Sequence, residues 1–162
     1  MNDTLQLADE SVLDDVFQLI LRRIQWMDTV GIRQWNVTNY TDAYPQRYYS
    51  QKIREGQLYV LTEKGKVIGA VVLLESDARW KDAVPAYYVH NLVTDVTAKG
   101  AGGILLGYVE AMAARDGKTC VRLDCAVDNE KLNQYYEKKG YRKVGVCSDG
   151  LYRGNKREKV IQ

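Results

Sequence analysis

The stretch TAKGAGGILL, residues 97–106, decides how this chain is read. Gly100, Gly102 and Gly103 fall within four positions, and glycine loses more backbone freedom on folding than any other residue. Such a cluster needs a reason. The residues before it, AYYVHNLVT, read as a strand, and Ile104, Leu105, Tyr108, Val109 and Met112 after it keep helical spacing. A strand, a glycine turn and a helix start bring unpaired backbone N–H groups and the positive helix end to one point, a general device for holding anions. A tight turn packed against a neighbouring helix is the competing explanation. Two nucleotide-binding patterns fail on spacing. A dinucleotide fingerprint needs a small residue where Leu105 stands, and a P-loop needs Gly-Lys-Ser/Thr at its end.

Working outward, TLQLAD alternates as a short first strand. Leu13, Val16, Phe17, Ile20, Ile24 and Met27 then mark a helix that Ser11 and Asp14 open as a capping box and Gly31 ends. Pro45 suits the first turn of a second helix that stops at Gly56. QLYVLT and VIGAVVLLES form a hairpin turning at Gly65, and AYYVHNLVT is apolar on both faces, so it belongs in the middle of a sheet. After the glycine helix come the strand TCVRLDCAV, a helix over DNEKLNQYYEKKG with Asp128 as N-cap, and a closing hairpin around Gly150. The order predicts an α/β fold with parallel pairing near the middle and antiparallel hairpins at the edges.

Composition narrows the class. With 162 residues, 46% hydrophobic and 27% charged, the chain suits one soluble domain with a core of its own. A formal charge of +2 gives no strong pull toward nucleic acid. The basic residues Arg153, Lys156, Arg157 and Lys159 read as a solvated strand end. No apolar run is long enough to cross a membrane and the first residues lack a signal-peptide pattern, so a cytoplasmic protein is expected. Cys120, Cys125 and Cys147 with a single histidine form no zinc pattern, so no metal is expected and the thiols read as reduced and mostly buried.

Residues 88–147 resemble the acyl-CoA-binding half of a GNAT-superfamily N-acetyltransferase. That family carries a Q/R-x-x-G-x-G/A loop, here Thr97-Ala98-Lys99-Gly100-Ala101-Gly102, and an Asn followed seven positions later by Tyr-Glu-Lys-x-Gly-Phe/Tyr, here Asn129 and Tyr136-Glu137-Lys138-Lys139-Gly140-Tyr141. The resemblance implies a GNAT-like mixed central sheet of about six to seven strands flanked by about four helices, formed by residues 1–162 as a single domain. It implies acetyl-CoA as acyl donor, a primary amine of a small molecule or peptide as acceptor, and direct attack in a ternary complex. A non-catalytic acyl-CoA sensor or scaffold is the alternative, and dimers are frequent in the family.

The resemblance also assigns residues. Thr97, Lys99, Gly100, Ala101, Gly102 and Gly103 would hold the pyrophosphate, although Thr97 stands where the family places Gln or Arg. Leu92, Val93 and Thr94 would meet the pantetheine arm through backbone groups, and Asn129 would contact it or simply start its helix. Tyr136 would donate a proton to the departing thiolate, or pack its helix on the sheet as Tyr135 does. His90, the sole histidine, is a candidate base, or a hydrogen-bonded core residue. Period-2 alternation puts Tyr88, His90 and Leu92 on one face. The acceptor site is expected from the N-terminal half, with Trp35 and Tyr88 as candidate contacts and Tyr40, Tyr44, Tyr48 and Tyr49 adding aromatic surface; core packing explains any one of these equally well. No acidic cluster is evident.

Overall fold

The computed structural model describes residues 3–161. Strand β1 (Asp3–Leu7) leads into helix α1 (Leu13–Val30), a single turn α2 (Tyr40–Ala43) and α3 (Gln46–Arg54). Strands β2 (Leu58–Glu63), β3 (Lys66–Leu74) and β4 (Ala86–Thr94) follow, then α4 (Ala101–Arg115), β5 (Cys120–Ala126), α5 (Glu130–Lys138), β6 (Arg142–Asp149) and β7 (Tyr152–Val160). All seven strands join one sheet in the order β1-β2-β3-β4-β5-β7-β6, with β4 in the middle. Only β4 and β5 run parallel; every other pair is antiparallel. The expected mixed α/β sheet is the observed one, and the helix count rises to five because the segment after Gly31 winds into the extra turn α2.

Local chemistry accounts for most boundaries. Lys64 and Gly65 both have positive φ, 52° and 78°, the conformation that closes a two-residue hairpin without splaying its strands. Two caps differ from the sequence expectation. Asp9, not Ser11, caps the first helical segment, accepting from the Ser11 amide at 2.9 Å. Asn129, not Asp128, caps α5, its Oδ1 accepting from the Leu132 amide at 3.2 Å. An Asp-Asn pair offers two equivalent caps, and only the tertiary partner of Asn129 separates them.

The sheet is covered on both faces. On one, Leu105, Leu106, Val109 and Ala113 of α4 pack with Val71, Leu73, Val121 and Leu123. Leu105 sits down on Gly69, where an added Cβ would lie 3.2 Å from its Cδ1. On the other face Val16, Leu19 and Ile20 of α1 and Tyr49 of α3 pack with Val60, Val72 and Val93. Cys120 and Cys125 are buried, which pushes both thiols up to about 11 and keeps them protonated and unreactive at neutral pH.

Strand β4 does not alternate regularly. Its register against β3 steps three residues, His90 to Val93, while β3 steps two, Val72 to Ala70. The extra residue sits at Asn91, whose φ is +54°. Tyr88 therefore packs with Trp80 and Ala86, whereas Leu92 has crossed to the α4 face beside Val89. The expected common face of Tyr88, His90 and Leu92 is broken by this bulge.

The C-terminal basic residues are not a solvated end. Arg157 is buried and donates to Asn133 Oδ1, Glu137 and the Tyr141 carbonyl. Lys156 donates to the Arg79 carbonyl and Lys159 to Glu110; only Arg153 of the four is exposed. Among the described residues no helix is long and apolar enough to cross a membrane. Arg157→Met retains a stem but strands the Tyr141 carbonyl and Asn133, so we expect a loss of about 2 kcal/mol in denaturant unfolding; a change under about 0.5 kcal/mol would contradict this role for the guanidinium.

Candidate active site

Pairing between β4 and β5 stops at Tyr88 opposite Arg122, after three residues. From Val89 onward the β4 edge that faces β5 has no strand beside it. A cleft of about 950 Å³ opens there and runs from the glycine loop to the β6–β7 turn. Val89 to Thr94 form its floor, with α5 on one side and the segment between α1 and α3 on the other.

At the loop end, Gly100 takes φ +83° and caps α4, so any L side chain there would be strained. The Ala101 and Ile104 amides are bonded to Ala98 and Gly100 carbonyls, whereas the Gly102 and Gly103 amides have no backbone acceptor among the described residues. An added Cβ at Gly102 would meet only the Tyr135 hydroxyl, at 3.5 Å. Lys99, Gly100 and Gly102 line the cleft. The other three loop candidates do not. Ala101 is buried in the core, Gly103 lies under Lys139 and Tyr135, and Thr97 turns away, its amide and hydroxyl both donating to Asp95 Oδ1 at 2.9 and 2.7 Å. Those bonds, with Lys66 nearby, hold the Asp95 carboxyl below its usual range and fix the loop's start.

On the floor, Arg23 of α1 donates to the Thr94 carbonyl and hydroxyl at 2.8 and 3.0 Å, and Val93 pairs with Ala70. Asn91 is pinned from the opposite wall: Tyr48 donates to its Oδ1 at 2.8 Å and its Nδ2 donates to the Tyr40 hydroxyl. Tyr136 of α5 lines the cleft with its ring set edge-on to Tyr135 and Tyr141. Burial drives its phenol well above the ordinary value, so it stays protonated. Asn129 lines the cleft too, but its amide is engaged at both ends, capping α5 and donating to the buried Gln34 Oε1 at 2.8 Å.

Sequence and structure comparisons place the fold. Residues 21–141 match the model of the Acetyltransferase (GNAT) family. This chain belongs to the GNAT acetyltransferase family. A curated relative, the uncharacterized N-acetyltransferase YesJ of Bacillus subtilis, is 23% identical over 86% of this chain and 81% of its own. Among solved structures, a GNAT-family acetyltransferase from Listeria monocytogenes superposes with a TM-score of 0.79 at 21% identity, covering 98% of this chain and 94% of its own. The PaiA N-acetyltransferase of Thermoplasma acidophilum, solved in complex with coenzyme A, gives 0.73 at 18% identity and 99% of both chains.

The far end of this GNAT cleft holds groups that no sequence pattern singled out. His90 Nε2 lies 2.7 Å from Asp77 Oδ2. Arg79 bridges Asp124 of β5 and Asp149 of β6, each at 3.1 Å, and Tyr152 donates to the other Asp124 oxygen. Gly154 is what admits the Tyr152 ring, since an added Cβ would lie 2.5 Å from its hydroxyl. Asp42, Asp124 and Asp149 all line the cleft, although the sequence shows no acidic run; they converge from three separate elements. Trp35 and Tyr40 stack at 4.2 Å, with Tyr44 tilted against Tyr40 at 4.8 Å, and these three line the cleft. Tyr48 and Tyr49 stand behind them. Tyr88 is not in the cleft: it is buried against Trp80 with its hydroxyl accepting from Arg122. The bulge offers a direct check. Asn91→Val forces a branched side chain into positive φ and unpairs two tyrosine hydroxyls, and should cost about 2–4 kcal/mol in chemical denaturation. Asn91→Gly removes only the hydrogen bonds and should cost less; equal losses would refute the conformational part.

Proposed function

We propose that this acetyltransferase moves the acetyl group of acetyl-CoA to a primary amine of a small molecule or peptide, by direct attack with both substrates bound. Residues 88–147 serve the donor, and the N-terminal half shapes the acceptor site. The observation that carries this reading is the continuity of one cleft, from the open α4 amides past the unpaired β4 edge to Tyr136 and His90. The residues present fit the donor. The space beside Gly100 and Gly102 is where a Cβ would otherwise intrude, and the first-turn amides with the helix dipole suit a pyrophosphate. Lys99 adds positive charge, since Thr97 is occupied by Asp95. The bare edge from Val89 to Thr94 suits the amide-bearing pantetheine arm as an added strand.

When bound, acetyl-CoA supplies a thioester: the C–N bond to the amine forms as the C–S bond breaks. The protein supplies alignment and two proton movements. His90 takes the amine proton, directly or through water, and Tyr136 gives its phenolic proton to the sulfur. The buried phenol carries its proton at neutral pH, as a donor must. Trp35 and Tyr44 line the cleft on either side of the buried Tyr40 and give ring surface on which the acceptor can rest, its amine neutral when it attacks.

Acetyl-CoA mixed with 2-phenylethylamine, 1,4-diaminobutane and a peptide with a free amino terminus should release free thiol and an acetylated product. Tight donor binding with no turnover across the panel would favour a non-catalytic sensor. Tyr136→Phe should lower kcat by about 100-fold while leaving acetyl-CoA affinity within about twofold; native rates would remove Tyr136 as donor. Gly102→Asp places bulk and negative charge at the amides and should abolish acetyl-CoA binding in calorimetry. Unchanged affinity would refute the loop as the pyrophosphate site.

A further inference from the structure

The linker between β3 and β4 carries chemistry that the proposed reaction has not yet used. It runs from Glu75 to Pro85, long for an antiparallel connection, and it is fastened to the sheet rather than loose. Trp80 lies between the Arg122 guanidinium at 4.4 Å and the Lys156 ammonium at 5.0 Å. Asp82 takes both terminal nitrogens of Arg122, at 2.7 and 2.9 Å, and Lys156 reaches the Arg79 carbonyl. The Asp77 carboxylate is placed by this frame. Its Oδ1 accepts from the Arg79 amide at 2.9 Å, and its Oδ2 faces His90 Nε2 at 2.7 Å. Both side chains are largely buried, His90 at 15% exposure and Asp77 at 9%.

We propose that Asp77 is the positioning residue of His90, fixing the ring so that Nε2 carries the proton and Nδ1 keeps the lone pair available to the acceptor amine. The proposal rests on the transferase reading above. Hydrogen bonds from His90 and the Arg79 amide outweigh burial and hold the Asp77 carboxyl below its usual range, so it is ionised and can only accept. Nε2 must then be the donor, and the other ring nitrogen is the basic one. As His90 takes the amine proton on Nδ1, the ring becomes an imidazolium whose charge faces the Asp77 carboxylate; the proton then passes to solvent. The other charged and titratable groups around this end include Arg79 of the same linker, Asp42 and Tyr44 of the wall before α3, Asp124 of β5, and Cys147, Asp149, Tyr152 and Lys156 of the closing hairpin. Arg79 is committed to Asp124 and Asp149, and Tyr152 to Asp124. Asp77 is the carboxylate in contact with the ring.

The test exploits composition: the chain has one histidine, so its imidazole nitrogen resonances need no assignment. In native protein with the ring in its neutral form, nitrogen-15 spectra should show Nε2 protonated and Nδ1 bare. In Asp77→Asn that preference should be lost. With 2-phenylethylamine as acceptor, kcat should fall by about tenfold or more. Asp77→Glu should restore part of both, and acetyl-CoA affinity within about twofold of native would certify the fold of each variant. A native Nδ1–H form, or an Asp77→Asn variant with native tautomer and native rate, would overturn the proposal. Failure of native protein to acetylate any amine would defeat the transferase reading instead, and the nitrogen spectra would still decide whether Asp77 sets the ring.

Discussion

Three residues of parallel pairing, Ala86–Tyr88 against Cys120–Arg122, join the two halves of the sheet, and everything at the site depends on their holding. Arg122 secures that junction. Its guanidinium is buried, bonded to Asp82, Glu158 and the Tyr88 hydroxyl, and stacked on Trp80. A buried cation is tolerable only when its donors are satisfied, and here carboxylates approach from two directions. With the strands clamped at one end, they can part at the other without the sheet coming undone. The cleft is the space that parting creates.

The bulge at Asn91 belongs to the same geometry. An extra residue bends its strand, and it turns Leu92 to the opposite face from the one simple alternation assigns. The positive φ would be costly for most residues and is held here by two tyrosine hydroxyls from the opposite wall. The floor of the cleft and its opposite wall are thus fastened to one side chain.

Sequence reading recovered the order of elements, the central place of β4 and the glycine loop, because each is written in local signals: periodicity, a turn with positive φ, an open helix start. A motif rather than physics pointed to Tyr136 and the glycine loop, and Tyr136, Lys99, Gly100 and Gly102 line the same cleft. Sequence reading missed Asp77, Arg79, Asp124 and Asp149, which come from three places along the chain, one linker and two strands, that the strand order brings together. It put Tyr88, His90 and Leu92 on one face because nothing in AYYVHNLVT announces an inserted residue. Thr97 looked available because its partner, Asp95, is a turn residue whose geometry appears only in three dimensions.

The tryptophans have an optical consequence. Trp26 and Trp35 line the cleft, while Trp80 is sealed between two cations at the strand junction. The molecule's own emission therefore has two compartments: a small quencher diffusing into the cleft meets two indoles, and the third stays dark to it until the sheet itself comes apart.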